Sequence, residues 1–158
     1  MMKMDVDVVK TMLKHREPFL FIDAIVNIST DTVEASLEIP ERNLLLEGHF
    51  PGNPVIPGVL LIEAMAQAAG FLIAYNLRKG KGGNLSDKEH DFFLSRINSV
   101  KFKAPIIPPA RLRIKIRIKS SLIENFCEAD GQAFVDDELK AIGSLVLYLK
   151  IKNSTEGK

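Results

Sequence analysis

The chain has 158 residues, of which 46% are hydrophobic and 26% are charged, and its formal net charge is +1. These values are typical of one soluble globular domain that can bury a core without disulfide bonds or metal ions. A net charge near zero excludes the strong overall field that favours nucleic acids or anionic membranes. Cys127 is the single cysteine, so no internal disulfide bond can form, which fits a reducing compartment.

The N-terminal residues 1–14 mix charged side chains with apolar ones. No uninterrupted apolar stretch precedes a small-residue cleavage site, so we predict that this segment is not a signal peptide and that the protein is cytoplasmic. Within residues 5–13, apolar side chains recur at helical spacing, which predicts a short amphipathic helix that Pro18 ends.

Two strands are predicted next. Residues 19–28 are rich in aromatic and β-branched side chains, which favour strands. Residues 31–39 alternate strictly between apolar and polar side chains, which predicts a half-buried strand. The short turn at residues 29–31 should allow the two strands to pair as a hairpin.

A long helix is predicted over residues 57–77, which are rich in Ala, Leu and Met. This stretch is apolar almost all round, and its length would permit a membrane span. Glu63 and Gln67 interrupt it, however, and a charge in the middle of a span is costly. We therefore predict that the helix is buried inside a soluble fold and that the protein does not bind membranes.

Further strands are predicted after a polar, glycine-rich loop at residues 79–91. They are expected at residues 92–102, 111–122, 126–135 and 139–151, the last two joined by a turn at Asp136 and Asp137. Because the long helix and the antiparallel strands are segregated along the chain, the fold class should be α+β. We predict one domain over residues 1–152 and a disordered tail at residues 153–158.

Two polar residues stand out among apolar neighbours, His49 and Glu63. His49 lies in a loop bounded by glycines and prolines, and Glu63 lies near the start of the predicted helix. A carboxyl group in an apolar helix is costly unless it is paired or protonated, so both residues are candidates for chemistry. Two alternatives remain open: His49 as an ordinary surface or capping residue, and Glu63 as a structural partner of Gln67 one turn on.

The segment that holds both residues carries a family resemblance. Residues 48–70 have the sequence G-H-F-P-G-N-P-V-I-P-G-V-L-L-I-E-A-M-A-Q-A-A-G, with L-K-H-R-E-P-F-L-F-I-D upstream at residues 13–23. Together with V-K-F-K-A-P-I-I-P at residues 100–108, these segments resemble the bacterial 3-hydroxyacyl-acyl-carrier-protein dehydratases of the FabZ type. The resemblance covers nearly the whole chain and implies a hotdog fold, in which an antiparallel sheet wraps a long helix.

The resemblance also implies a site that two subunits share. His49 of one subunit would be the base that removes the C2 proton, and Glu63 of its partner would be the acid that protonates the leaving hydroxyl. The N–H of Gly58 would stabilise the thioester oxygen, the Val55 carbonyl would fix the imidazole, and Gln67 would support Glu63. Desolvation by the apolar helix is expected to raise the pKa of Glu63 and keep it protonated.

The acyl chain needs an apolar tunnel, for which the candidate walls are Phe50, Met65, Ala68 and Phe71. Such side chains are more often core, so this assignment rests on a weak signal. Three positions depart from the family pattern and bear on chain-length preference: Lys14, Glu17 and Pro109. A related branch that also isomerises its product has Asp at position 63, so glutamate favours a simple dehydratase.

No metal site, cofactor or nucleic-acid partner is expected. His15, His49 and His90 lack ligand spacing for a metal, and the resemblance implies a substrate carried on the phosphopantetheine arm of acyl carrier protein. The family resemblance implies a homodimer and, beyond it, a trimer of dimers. Two other functions stay open, namely an acyl thioesterase on the same fold and a non-catalytic acyl-binding or scaffold subunit.

A stripe of five cations marks the strand predicted at residues 111–122, where basic and apolar residues alternate. One interpretation is a docking surface for the acidic carrier protein. The interpretation that we favour is a solvated face that pairs with acidic residues on neighbouring strands. Arg78, Lys79 and Lys81 form an alternative docking patch. The members of the cation stripe are Arg111, Arg113, Lys115, Arg117 and Lys119.

Overall fold

A computed structural model describes residues 3–43, 46–80, 90–120 and 123–151, and these contain two helices and six strands. The predicted tail at residues 153–158, most of the predicted glycine-rich loop, and Lys81 lie outside the described residues. The helices are α1 (Val6–Met12) and α2 (Gly58–Gly80), and the strands are β1 (Ala24–Ile28), β2 (Thr32–Ile39), β3 (His90–Phe102), β4 (Ala110–Ile118), β5 (Phe126–Val135) and β6 (Glu138–Ile151).

The strands form one antiparallel sheet in the order β1-β2-β4-β5-β6-β3. The hairpins β1–β2 and β5–β6 are present as predicted, and β3 crosses over to pair with β6 at the far edge. The β3–β6 ladder contains two bulges, between Leu94 and Arg96 and between Ile97 and Ser99. A single long helix against a six-stranded antiparallel sheet confirms the predicted α+β hotdog fold.

Helix α2 lies in the centre of the hydrophobic core. Twelve of its residues, from Leu61 to Ala74, are buried, and it packs against β2, β4, β5 and β6. By length and composition this helix could cross a membrane, but most of its apolar surface is covered by the sheet. The buried interpretation of this stretch is therefore confirmed.

The first predicted strand is shorter than expected: the N–H of Asp23 still donates to the Ser36 carbonyl of β2 at 2.8 Å, but residues 19–22 leave the sheet. Their main chain binds α2 instead: the Gln67 side chain accepts the N–H of Phe21 at 2.8 Å and donates to the carbonyl of Phe19 at 3.0 Å. Strand β1 therefore begins only at Ala24. The aromatic composition of this segment reflects packing on the helix rather than pairing in the sheet.

Several local details explain where elements end. Asp5 caps α1, since its carboxylate accepts the N–H groups of Asp7 and Val8. The helix ends at Met12, well before Pro18, so the prediction that the proline ends it is wrong. Burial raises the pKa of the Cys127 thiol to about 11, as befits a small hydrophobic core residue rather than a reactive thiol.

Candidate active site

A tight turn between β2 and α2 positions His49. The N–H of His49 donates to the Leu46 carbonyl at 2.9 Å, and the N–H of Val55 donates to the His49 carbonyl at 2.7 Å. Phe50 and Asn53 exchange main-chain hydrogen bonds across the turn, and Gly52 occupies the left-handed region at φ +76°. The main chain on both sides of the histidine is thus fixed.

The imidazole of His49 has a defined tautomer. Its Nδ1 lies 2.9 Å from the carbonyl oxygen of Val55. Since a carbonyl oxygen can only accept, Nδ1 carries the hydrogen and Nε2 keeps its lone pair. The ring stacks on Phe50 with a centroid distance of 4.3 Å. The contact expected between His49 and Val55 is present, and it leaves Nε2 able to accept a proton.

Gly58 is the first residue of α2, where a backbone N–H has no partner inside the helix. A β-carbon at this position would lie 2.8 Å from two ring carbons of Phe102. Glycine therefore permits the close approach of β3 to the helix start. This packing role is compatible with the predicted role of the N–H as an oxyanion donor.

The carboxyl group of Glu63 projects from the second turn of α2. Its side chain is 22% exposed, and its Oε1 accepts a hydrogen bond from Gln67 Nε2 at 2.9 Å. Gln67 itself is only 2% exposed and also binds the main chain of Phe19 and Phe21. The expected support of Glu63 by Gln67 is present, and Gln67 ties the carboxyl group to the loop before β1.

His15 is a neighbour of Glu63 that the sequence did not single out. Its Nε2 lies 3.4 Å from Glu63 Oε1. The hydrogen bond from His15 lowers the pKa of Glu63, burial raises it, and the hydrogen bond from Gln67 lowers it further. The net direction is downward. The expected rise in the pKa of Glu63 is therefore wrong for the isolated protomer, because desolvation is outweighed by two donors.

A cavity of about 170 Å³ opens beside Glu63. Helix α2 contributes residues 63, 66, 67 and 70, which lie on one face at helical spacing. The opposite wall is apolar and comes largely from β3, and His15 also lines the cavity. The non-helical lining residues are Leu13, His15, Phe92, Phe93, Leu94 and Leu147.

The predicted tunnel residues lie elsewhere. Met65, Ala68 and Phe71 are at most 1% exposed and belong to the core, whereas Phe50 is 56% exposed beside His49. None of the four lines the cavity next to Glu63. Their role as tunnel walls stays a prediction. The helical period of the sequence would have been enough to predict that residues 63, 66 and 70 share one face of α2.

His49 and Glu63 are not joined within one protomer. Across the described ranges, their hydrogen bonds and ion pairs go to Val55, Gln67 and His15 and not to each other. His49 is also absent from the cavity beside Glu63. One chain therefore presents two separate half-sites, the His49 turn (residues 46–55) and the Glu63 wall (Glu63, Gln67 and His15).

The cation stripe on β4 is paired. Every one of its five members lies within 4 Å of a carboxylate oxygen. The pairing supports the solvated-face interpretation and leaves no excess of positive charge along this strand. The acidic partners on β2 and β5 and in the adjoining turns are Asp31, Glu34, Glu38, Glu128, Asp130 and Asp137.

Comparisons with known proteins place the chain in a family. The model of the FabA-like domain matches residues 13–142. The FabZ 3-hydroxyacyl-[acyl-carrier-protein] dehydratase of Campylobacter fetus is 37% identical over 142 residues, which cover 89% of this chain and 94% of that protein. The chain thus belongs to the FabA-like domain family and, within it, to the FabZ 3-hydroxyacyl-acyl-carrier-protein dehydratases.

Other relatives are longer. The bifunctional enzyme LpxC/FabZ of Chlorobaculum tepidum is 34% identical over 151 residues, which cover 95% of this chain but only 31% of that protein. The chain thus spans about a third of the length of such bifunctional relatives and most of the length of the single-function ones.

Solved structures agree on the fold. A chain of the dehydratase heterocomplex ApeI:P from Xenorhabdus doucetiae superposes with a TM-score of 0.73 at 21% identity and covers 94% of this chain and 93% of that one. A hypothetical thioesterase from Streptococcus pneumoniae, solved with coenzyme A, has a TM-score of 0.59 at 13% identity and covers 94% of this chain and 95% of that one. At these identities the likeness shows the fold alone.

Proposed function

We propose that this protein dehydrates 3-hydroxyacyl chains on acyl carrier protein to trans-2-enoyl chains, in fatty acid or related acyl-chain biosynthesis. One observation carries the proposal in this member of the FabZ group. A turn-held imidazole with a free Nε2 and a half-buried carboxyl group beside an apolar cavity are the acid/base pair that the reaction needs.

The two groups divide the elimination between them. His49 Nε2 takes the C2 proton, and the electron pair of that C–H bond forms the C2–C3 double bond as the C3–O bond breaks. Glu63 gives its proton to the departing hydroxyl, which leaves as water. The Gly58 N–H and the positive end of the α2 dipole stabilise the negative charge that develops on the thioester oxygen.

Glu63 must carry a proton when the hydroxyl leaves. In the isolated protomer the donors His15 and Gln67 outweigh burial and lower the pKa of this carboxyl. A partner subunit and a bound acyl chain would remove water from the cavity, and desolvation acts in the opposite direction. Closure of the site therefore favours the protonated form that the elimination requires.

The chemistry needs the two half-sites in one place, so the working unit is a homodimer. Strand β3 is a sheet edge whose long apolar side chains Phe93, Leu94 and Ile97 are exposed in the protomer. Such an edge is a template for pairing with another strand. Pairing of β3 with its copy would cover these side chains and would bring His49 of the second subunit towards Glu63. A trimer of dimers is proposed on family resemblance.

The acyl chain would lie in the cavity beside Glu63, between α2 and β3. Residue 70 is a glycine here, and a β-carbon at that position would meet the ring of Phe92 at 3.4 Å. The reaction, acid/base throughout, would use no cofactor beyond the phosphopantetheine arm of the carrier. We propose a cytoplasmic location, where this carrier-bound substrate would be met.

The experiment that tests the proposal follows the absorbance of the enoyl thioester. Wild type, His49→Ala and Glu63→Gln are supplied with 3-hydroxyacyl and enoyl carriers of several chain lengths. We expect reversible interconversion in the wild type and losses of about 10²–10⁴-fold in each folded variant. Glu138→Gln, at an exposed carboxylate on β6, is the matched control, because it makes the same chemical change as Glu63→Gln away from both half-sites.

The remaining outcomes identify the alternatives. Release of free thiol without formation of enoyl thioester would replace the dehydratase by a thioesterase in which Glu63 activates water. Binding of acyl carriers without turnover would indicate a non-catalytic acyl-binding subunit. Both outcomes would overturn the proposed function.

A further inference from the structure

We infer that His15 is a positioning residue for the dehydration, whose Nε2–H fixes the Glu63 carboxyl and controls when that carboxyl takes up the proton that it donates. The inference rests on the proposed function, since it assigns a role in the same site. It rests on the geometry of the segment after α1, which places His15 beside Glu63, the proposed acid, and not beside His49, the proposed base.

The contact defines which nitrogen of His15 donates to Glu63. Nε2 lies 3.4 Å from Glu63 Oε1, whereas Nδ1 is buried and has no hydrogen-bond partner among the described residues. A buried N–H without an acceptor costs more than a buried lone pair. The tautomer with hydrogen on Nε2 is therefore favoured over the one with hydrogen on Nδ1, and it donates to the carboxyl oxygen.

The position of the ring is built into the fold. The Arg16 guanidinium donates to the carbonyl oxygens of Lys10, Leu13 and His15 at 2.7 to 3.2 Å, which fixes the main chain around the histidine. The ring also lines two cavities, one beside Glu63 and one beside Asp91 and His90 of β3, which is the edge strand that the proposed dimer uses.

Other charged and titratable groups surround the ring, and they limit the interpretation of any pH dependence. From β3, His90 and Asp91 face the second cavity, where Lys14 pairs with Asp91. From α2, Gln67 shares the Glu63 oxygen with His15 and does not titrate. Within the described part of the chain, Glu63 is thus the one ionisable group that both His15 and Gln67 contact.

The catalytic cycle gives this contact a consequence. Each dehydration leaves His49 protonated and Glu63 ionised, so one proton must return from the imidazolium to the carboxylate, through water, before the next turnover. A donor held on Glu63 stabilises the ionised form and opposes this return. The same donor keeps the carboxyl group aimed into the cavity. His15 therefore lowers the pH range in which Glu63 is protonated, and it also holds the carboxyl group in a fixed orientation.

A matched pair of substitutions tests the inference. In His15→Gln the amide nitrogen reaches about as far as Nε2, so a neutral donor to Glu63 is retained. In His15→Asn the shorter amide cannot reach the carboxyl group. Lys10→Gln, on α1, removes a surface ion pair with Glu17 and serves as the control.

Two readouts are followed in the intact protein. The first is the titration of the Glu63 carboxyl by ¹³C NMR without substrate, with Glu63→Gln used to assign the resonance. We expect the Asn variant to raise the pKa of Glu63, and the Gln variant and the control to leave it close to that of the wild type. This readout does not depend on activity, so a failure of the inference is distinguishable from a failure of the proposed function.

The second readout is the pH profile of dehydration. Because the acid must be protonated, activity falls as pH rises through the pKa of Glu63, and the Asn variant should shift this fall to higher pH. Its maximal kcat should drop by about tenfold, the loss expected for one hydrogen bond to a charged group, while KM changes little and the Gln variant recovers most of the activity. An unchanged Glu63 titration in the Asn variant would overturn the inference, as would equal behaviour of the Asn and Gln variants.

Discussion

The two half-sites of this molecule are held in different ways. The His49 turn is held by main-chain hydrogen bonds that close within residues 46–55, so its geometry is local. The Glu63 wall is held by side chains from distant parts of the sequence, since Gln67 binds Phe21 across 46 residues and His15 comes from the segment after α1. The proposed base is thus placed by a turn, and the proposed acid by tertiary packing.

This difference predicts different responses to substitution. Changes in the turn should affect catalysis with little effect on folding, because few core contacts depend on it. Changes in the Glu63 wall should affect both, because the same groups join α2 to the loop before β1. The proposed dimer adds that the two half-sites of one active centre belong to different chains.

The largest expected effect comes from mixing two inactive variants. His49→Ala and Glu63→Gln are each expected to lose activity by about 10²–10⁴-fold. In a mixed dimer, one of the two centres has both native groups. Equal amounts that exchange subunits freely should recover about a quarter of wild-type activity, since about half of the dimers are mixed and half of their centres are intact.

The control for this experiment is the same mixture under conditions where subunits do not exchange, which should stay inactive. A mixture that exchanges subunits, as measured by mass spectrometry of labelled chains, but stays inactive would place both groups in one chain. That result would contradict the proposal that the two half-sites of one active centre belong to different chains.

The next effect concerns the edge strand that should unite the half-sites. Ile97→Lys places a charge on β3, where the proposed dimer buries the side chain, and the unpaired charge should cost about 3 kcal/mol or more, or at least about a hundredfold in association. Sedimentation should show dissociation, with activity lost in parallel. Ile123→Lys replaces an equally apolar side chain that is 67% exposed outside β3 and should change neither property. A dimer that is unchanged in Ile97→Lys would place the interface elsewhere.

A smaller effect tests whether the Glu63 wall depends on tertiary packing. Gln67→Leu removes three hydrogen bonds and leaves the Phe21 N–H unpaired in the interior. The free energy of unfolding should fall by about 1–3 kcal/mol, as measured by urea denaturation. Gln132→Leu on the outer face of β5 is the matched control and should cost less than about 0.5 kcal/mol. Equal stability of the two variants would contradict the role of Gln67 as a tertiary link.

The smallest effect is expected on the cation stripe. Arg117→Gln removes a pair with Asp31 in which both side chains are more than half exposed, and such pairs contribute about 0–1 kcal/mol. KM for a carrier-bound substrate should change by less than about threefold at low salt. A large rise in KM for the carrier, with no change for the same acyl group on pantetheine, would show that the stripe docks the carrier after all.

The local half of the site could be predicted from the sequence, and the distant half only in part. Pro51 and Gly52 next to His49 predicted a loop with a fixed backbone, so short-range rules apply to it, and the contact with Val55 was implied by the family resemblance. Gln67 was predicted as a support for Glu63 from its position one turn along the helix. The second contact of Gln67, with the main chain of Phe19 and Phe21, depends on how the loop packs against α2. The same contact explains why β1 begins only at Ala24.

The ionisation of Glu63 shows why the rest could not be predicted. Apolar neighbours along α2 indicate desolvation, and this contribution is real. His15 reverses the balance, yet no periodicity places the residue after α1 beside the second turn of α2. The cavity beside Glu63 is lined by Ala66 and Gly70, which share its helical face, while Met65 lies against Gly131 of β5. The role of the predicted tunnel residues stays a prediction.

The two edges of the sheet differ in a way that limits how far this protein can assemble. Strand β1 is only five residues long, its ladder is irregular, and Met4 already bridges Ile25 on its outer side. Strand β3 is long, but its two bulges give it a shape that an unrelated flat strand cannot follow. In the proposed dimer, a second copy with the same bulges would pair by two-fold symmetry and would use up the long edge on both chains, so growth would stop at a finite particle instead of continuing into a fibre.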